Sequence, residues 1–405
     1  MGGVLGHRSF RLLFAGQSIS SLGDRLAPVA LAFAVLDLTG SVTDLGVVLA
    51  AQTVPVVVFV LIGGVWADRL PRRRVMLVSD FVRAASQAGS AALLLTGSAH
   101  VWQLAALQAV YGAARAFFGP ASTALVPETV AAEDLQRANA VLALSQNVTA
   151  VVGPALAGVI VTALRPGWGL AIDALTFVGS AGCLVAMPAF AASARARGSM
   201  LHELRGGWSA FISRPWAWIT VACFTVYIGF GWAPFQVLAP QVARVWLGGP
   251  GAWAAIAVAL GVGSVGGGLV ALRVRPRHPL RLPLAVFVIA TPALMALLAA
   301  HAPLPVIIAV GLVDGATGTM FNTFWFTALQ ADVPPEELAR VVSWDWMGSL
   351  VLLPVGQALS GPVAAAAGIS TTLFGAAAIT MVLFAAALAA PAVRNFSPPA
   401  AEPAG

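Results

Sequence analysis

Long apolar runs, each near the length needed to cross a bilayer, alternate with short polar breaks along almost the whole chain. A spanning helix needs about 20 predominantly apolar residues. The breaks leave twelve such runs, at 10–37, 43–67, 75–97, 101–126, 137–164, 168–191, 215–243, 252–272, 281–300, 303–329, 340–366 and 370–391. Gly and Pro fall inside several of them, which membrane helices tolerate because neighbouring helices re-satisfy the freed backbone groups. Trp66, Trp102, Trp168, Trp216, Trp218, Trp246 and Trp253 lie near run ends, as an aromatic belt would place them. The first run follows a basic patch, yet it contains Asp24 and Arg25 and has no small-residue cleavage site, so it reads as a span and not a signal peptide.

The charges sort these runs by side. With a cytoplasmic N-terminus, eighteen Arg fall on inside segments, only Arg165 and Arg244 on outside loops, and Arg25 and Arg115 within the membrane. Under the positive-inside rule this asymmetry puts both termini in the cytoplasm, in a bacterial inner membrane.

Composition narrows the possibilities further. The chain has 405 residues, 59% hydrophobic and 9% charged, against about 25% charged in soluble domains. The net charge of +6 is spread over many loops, so it is no nucleic-acid footprint. Cys183 and Cys223 lie inside apolar runs, and the five His residues show no metal-ligand spacing. No Ser/His or Cys/His set sits at catalytic depth, so an enzyme, a metal site and a bound cofactor are not expected.

The longest polar stretch, 192–214, divides the chain into residues 1–191 and 215–391, each with six runs; a Pro-rich tail, 392–405, is expected to be disordered. A shift of 203 residues aligns Arg137–Gly158 with Arg340–Gly361 without a gap, matching Arg137 to Arg340, Gly153 to Gly356 and Gly158 to Gly361. A shift of 204 matches Gly63-Gly64 to Gly267-Gly268 and Arg69 to Arg273. Such a repeat predicts two pseudo-symmetric six-helix bundles that face each other around a central site.

Between the second and third runs lies a basic hinge, Gly64-x-x-x-Asp68-Arg69-x-Pro71-Arg72-Arg73. It resembles the loop between helices 2 and 3 of the major facilitator superfamily, in the Asp-Arg-Leu-Pro-Arg-Arg form of its drug-exporter branch, which includes macrolide and enterobactin exporters. The resemblance extends from the Phe14–Pro28 stretch through the twelfth run. It implies the major facilitator fold, with Gly64, Asp68, Arg69, Arg72 and Arg73 acting as a gate. The residues alone also allow the Arg cluster to do no more than anchor topology. In the second copy Leu272 replaces Asp68, so the acidic member of the hinge survives only once.

Ionisable groups at bilayer depth cost about 3 kcal/mol or more, so each is a functional suspect. Asp24 and Arg25 lie near the centre of the first run, and Arg115 near the centre of the fourth, at a depth similar to Asp24. Arg115-x-x-Phe118-Gly119 resembles the family's Arg-x-x-Gln-Gly motif, with Phe118 in place of Gln, and implies that Arg115 takes part in proton or substrate coupling. Asp24 either exchanges a proton as the pocket's hydration changes or simply neutralises Arg115. Arg25 points about 100° away from Asp24 and either binds substrate or pairs elsewhere. Asp314, mid-span in the tenth run, is a second proton-coupling candidate. Asp345 reads as a helix-start group or a partner of Arg340, Asp173 as interfacial, and Asp80 with Arg83 as an i, i+3 pair on the third helix.

In the fifth run, Gly153-Pro154-x-x-x-Gly158 resembles the Gly-Pro-x-x-Gly-Gly motif of antiporters, which implies a gating role; close packing through small residues is the plain alternative. Gln146 and Asn147 are polar groups that could line a cavity. Trp232, Phe235, Phe321, Phe324, Trp325, Trp344 and Trp346 form a deep aromatic set, either packing or facing an amphipathic ligand. From this set Trp232, Phe321 and Trp325, with Arg25, Gln146 and Asn147, are the substrate-binding candidates. The expected function is export of a small amphipathic compound in exchange for protons, by a monomer embedded in the lipid bilayer. An importer or lipid flippase on the same fold, or a non-transporting receptor or assembly factor, are the rival readings.

Overall fold

The structure is a computed structural model that describes residues 4–188, 207–274 and 276–397; side chains of residues 60–69, 335, 336 and 339 lie outside the described set. Nearly every described residue is helical. The chain order is α1 (Arg8–Thr39), α2 (Val42–Arg69), α3 (Arg72–Thr96), α4 (Val101–Thr129), α5 (Leu135–Ala163) and α6 (Pro166–Ala186). After a short helical stretch at 207–212 follow α7 (Pro215–Tyr227), a π-helical turn (Ile228–Trp232), α8 (Ala233–Trp246), α9 (Pro250–Arg273) and α10 (Arg281–Ala299). The rest is α11 (Leu304–Asp332), α12 (Pro335–Leu350), α13 (Leu353–Ala367), α14 (Ile369–Ala389) and α15 (Pro391–Arg394).

Local chemistry explains the ends. Gly40 at φ 69° stops α1, its N–H bonding the Leu36 carbonyl at 2.8 Å, and Gly97 at φ 73° stops α3. Glycine takes this left-handed conformation without steric cost, which makes it the usual helix terminator. Pro166 opens α6 and Pro215 opens α7, positions where the missing N–H is not needed. The run expected at 340–366 is broken at Val351–Leu352, with Pro354 in the first turn of α13; proline cannot donate to the preceding turn.

Among the described residues, ten helices are long and apolar enough to cross a membrane, counting α7 with α8 and residues 340–367 as single spans. Two of the expected twelve, α3 and α4, are not among them. The reason for α3 is that its inward face is polar: Ser79, Asp80, Arg83, Ser86, Gln87 and Ser90 are all buried. In α4, Gln103, Gln108 and Arg115 dilute the apolar run.

The described residues pack as two compact units, one within 1–196, 237–258 and 357–362 and one within 197–236, 259–356 and 363–405. In the first, α1 buries an apolar stretch from Leu26 to Leu36 against Leu45, Leu104 and Leu170. Residues 237–258 and 357–362, from the second half of the sequence, belong to this unit. Gly158 of α5 abuts Ala254, and Gly361 abuts the Thr43 backbone. Arg244 of α8 bonds the Leu36 carbonyl at 2.5 Å and pairs with Asp37 at 3.3 Å. In the second unit the beginning of the tail expected to be disordered is seated. Phe396 stacks on Trp216 with ring centroids 4.1 Å apart, and its carbonyl meets His278 Nδ1 at 3.2 Å. Residues 398–405, and 189–206 of the central stretch, lie outside the described residues.

Candidate functional site

The polar stripe of α3 recurs at helical spacing, so its members share one face. That face meets α1, α4 and α6 inside the first unit. Arg83 bridges two carboxylates, donating to Asp80 through Nη2 and to Asp24 through Nη1 at 3.5 Å. Tyr111 of α4 donates to the other Asp24 oxygen at 2.6 Å. Ser180 of α6 donates to Asp80 at 2.7 Å. A second chain of bonds runs beside the first. Gln52 donates to Gln108 at 3.2 Å, Gln108 to Gln87 at 3.0 Å, and Gln87 to Asp173 at 2.6 Å.

This cluster holds three carboxylates, Asp24, Asp80 and Asp173, against one guanidinium that is itself fully buried. The Arg83 guanidinium lies between the Phe118 and Phe177 rings, 4.1 and 4.2 Å from their centroids. Aromatic faces stabilise a cation most when water is absent, so Phe118, standing where the resembling motif has Gln, covers the charge that holds Asp24. Asp80 and Asp173 are fully buried, whereas the Asp24 side chain keeps 26% of its surface exposed. Asp24 is thus the carboxylate of the network that reaches the surface of the unit.

Arg115 does not pair with Asp24. It is exposed and makes no ion pair or hydrogen bond among the described residues; Arg83 and Tyr111 occupy both Asp24 oxygens instead. Asp173, expected at the interface, is buried at the centre of the unit, where Gly23 lets α1 approach it. The short Asp80–Arg83 pair is present and is extended by Asp24 into a triad. Sequence spacing exposed that pair, but nothing along the chain pointed to Gln87, Gln108 or Tyr111.

Arg25 is exposed on α1, its Cβ beside Gly153 of α5, with Pro154 buried next to it. Ser21 bonds Thr149 at 2.9 Å and Ser145 donates to Ser18 at 2.6 Å along the same α1–α5 contact. Gln146 and Asn147 are exposed on α5. Arg72 donates to Glu128 at 2.6 Å and to the Ala124 carbonyl at 2.7 Å. Arg73 donates to the carbonyls of Leu184 and Val185, at 2.6 and 2.8 Å, and so caps the end of α6. The side chains of Asp68 and Arg69, and the surroundings of Gly64, lie outside what the structure describes.

The second unit contains a cavity of about 670 Å³, within the range of small-molecule sites. Trp232, Phe321 and Trp325 line it, together with Phe224, Tyr227 and Phe287. Phe224 stacks on Phe321 at 4.5 Å and Phe321 on Trp325 at 6.0 Å. Asp314 lines it from the middle of α11 and accepts a hydrogen bond from Thr291. Asp345 lines it too, accepting from Trp325 Nε1 at 3.1 Å; it is not a partner of Arg340. Phe235 stacks on Trp232 from behind the lining, and Trp344 meets Trp208 at a tilt, ring centroids 4.7 Å apart; neither Phe235 nor Trp344 lines the cavity. No group of three side chains that could hold a metal ion occurs among the described residues.

Comparison with known proteins bears on this arrangement. The profile of the family described as "Transmembrane secretion effector" matches residues 3–403. A "Multidrug efflux pump Tap" of Mycolicibacterium fortuitum is 28% identical over 95% of this chain and 96% of its own. The pump of the same name in Mycobacterium tuberculosis is 27% identical over 96% and 94%. Among solved structures, a nucleoside transporter NupG variant superposes with a TM-score of 0.76 at 14% identity, covering 93% of this chain and 99% of its own. The chain belongs to the transmembrane secretion effector family, in the drug-efflux branch of the major facilitator superfamily of bacterial membrane transporters.

Proposed function

We propose that the protein exports small amphipathic compounds, drugs or secondary metabolites, in exchange for protons by alternating access. The observation that supports it most is the position of Asp24, the one partly exposed carboxylate of an otherwise buried network. Ionised, Asp24 accepts from Tyr111 and Arg83. Protonated, it no longer offers Arg83 a charge, and Arg83 is left to Asp80 alone. Proton arrival therefore loosens α1 from α3 and α4 at mid-helix, which is how a proton can bias one arrangement of packed helices over another.

In this reading twelve spans form two six-helix halves, 1–191 and 215–391, with both termini cytoplasmic, and one copy of the chain suffices. Asp68 and Arg69, with Gly64, Arg72 and Arg73, hold the cytoplasmic end, while Gly153, Pro154 and Gly158 give α5 its close packing. Arg115 takes part in proton or substrate coupling from its exposed place on α4. Asp314 is the second exchangeable carboxylate. The names of the relatives support a drug cargo. Cells producing the chain are expected to accumulate less ethidium and less macrolide than vector controls, a difference erased by a protonophore. Equal accumulation in producing and control cells would overturn this reading.

A further inference from the structure

We propose that the segment after the last long helix, Pro391–Ser397, is a strap that ties down the second unit's hinge loop and holds one wall of its cavity in place. This rests on the export reading above and concerns the regulation of that same cavity. A segment running on past its last long helix stays ordered only where it is tied down, and three ties are present. Val393 is buried. The Phe396 ring stacks on Trp216, in the first turn of α7, with centroids 4.1 Å apart. His278, in the loop between α9 and α10, meets the Phe396 carbonyl at 3.2 Å and the Ser397 hydroxyl at 3.1 Å through Nδ1. A carbonyl can only accept, so Nδ1 carries the proton and donates it.

The strap reaches the cavity through two indoles. Trp216 is buried; its Nε1 donates to Asp332 of α11 at 3.0 Å, and its ring stands edge-on to Trp325 at 5.3 Å. Trp325 lines the cavity and donates to Asp345, which lines it from α12. Phe396, Trp216 and Trp325 thus make a continuous aromatic run from the strap to the cavity wall. Trp216 and Phe396 do not line the cavity themselves. Trp216 positions Trp325, and Phe396 positions Trp216.

The first unit shows what the strap stands in for. There Arg72 ties the hinge to the end of α4, and Arg73 ties it to the Leu184 and Val185 carbonyls at the end of α6. The shift of 204 residues that matches Arg69 to Arg273 places Leu272 opposite Asp68, Pro276 opposite Arg72 and His278 opposite Arg74. The second hinge therefore lacks the acid and one of the two tying guanidiniums. His278 makes the corresponding tie, again to a backbone carbonyl past the last long helix of its unit, and the chain supplies that carbonyl by running on beyond α14. One segment thus holds both the hinge loop and, through Phe396, the cavity wall. Releasing it frees both.

The test reads maleimide labelling of a cysteine on the cavity wall, in the full-length protein in lipid nanodiscs with Cys183→Ser and Cys223→Ser. Ser349→Cys supplies the thiol, since Ser349 lines the cavity one turn beyond Asp345 on α12. Ser90→Cys, buried in the first unit, is the control for general loosening. Phe396→Ala is expected to speed labelling at 349 about fivefold, the loss of one stacked pair, whereas Phe396→Tyr keeps it within about twofold. His278→Ala, which leaves the ring pair in place, should speed it about twofold or more through loss of the backbone tie. Labelling at 90 should stay unchanged in each. Parent-rate labelling at 349 in Phe396→Ala, or an equal rise at 90, would overturn the proposal; if Phe396→Ala does not fold, His278→Ala decides by the same criteria. The readout needs neither cargo nor a proton gradient. Strap-dependent labelling in a chain that exports nothing would overturn only the export reading, and export with strap-independent labelling only this inference.

Discussion

The buried Tyr111 hydroxyl donates to Asp24 at 2.6 Å, tying the carboxylate of the first helix to the fourth. Arg83 reaches the other oxygen from the third helix at 3.5 Å. One partly exposed side chain therefore fastens three helices together, and neutralising it weakens two charge-assisted contacts at once.

Removing only the phenol oxygen isolates the first contact. A hydrogen bond to a charged group contributes about 1.5–3 kcal/mol, so Tyr111→Phe is expected to lower the rate of proton-linked efflux about tenfold or more with normal membrane insertion. Efflux kinetics in cells matched for protein level check this.

Arg83 is expected to matter for stability as much as for transport. Its removal leaves Asp80 buried without a countercharge, and breaking a buried ion pair costs about 3–5 kcal/mol. Arg83→Ala should lower the unfolding temperature in detergent sharply. Arg83→Lys should restore little, because one ammonium cannot reproduce the planar fork that spans Asp24 and Asp80 between two rings.

Small residues set the helix crossing beside the cavity. A Cβ on Gly315 would strike the Leu260 backbone, and one on Gly267 would strike the Ala316 backbone, so α9 and α11 cross at contact distance. Overpacking costs about 1–3 kcal/mol. Gly315→Ala is expected to lower thermal stability, as measured by the unfolding temperature in detergent.

Arg73 offers a gentler test. Its bonds to Leu184 and Val185 satisfy carbonyls that α6 leaves open at its end. A cation at a helix C-terminus is worth about 0.3–1 kcal/mol, so Arg73→Gln should leave overall stability nearly unchanged. Amide exchange in the last turn of α6 should rise several-fold, a change confined to that turn.

The helices were readable because lipid demands long apolar runs, and the helix ends followed from Gly and Pro. The charged suspects were readable for the same reason, since Asp24 and Asp314 stand out against apolar neighbours, whereas Arg83 counts by position with the cytoplasmic Arg residues and is in fact buried. Their partners were not. Asp173 lies near one end of its run and read as interfacial, yet neighbouring helices bury it completely. Depth along a helix is written in the sequence, but which helices stand beside it is not. That is also why Arg115 was matched to Asp24 on depth alone, while Arg83 holds the position. Phe118 looked like a lost motif residue and is instead one face of the guanidinium's aromatic clamp. Asp345 was judged from its nearest charge along the chain, whereas its contact, Trp325, comes from the preceding helix.

Everted membrane vesicles with an imposed proton gradient test the central claim most directly. Adding a macrolide should dissipate the gradient in vesicles carrying the unmodified protein and leave it intact in vesicles carrying Asp24→Asn at equal abundance. A gradient that ignores the compound in both, or collapses equally in both, would contradict the account.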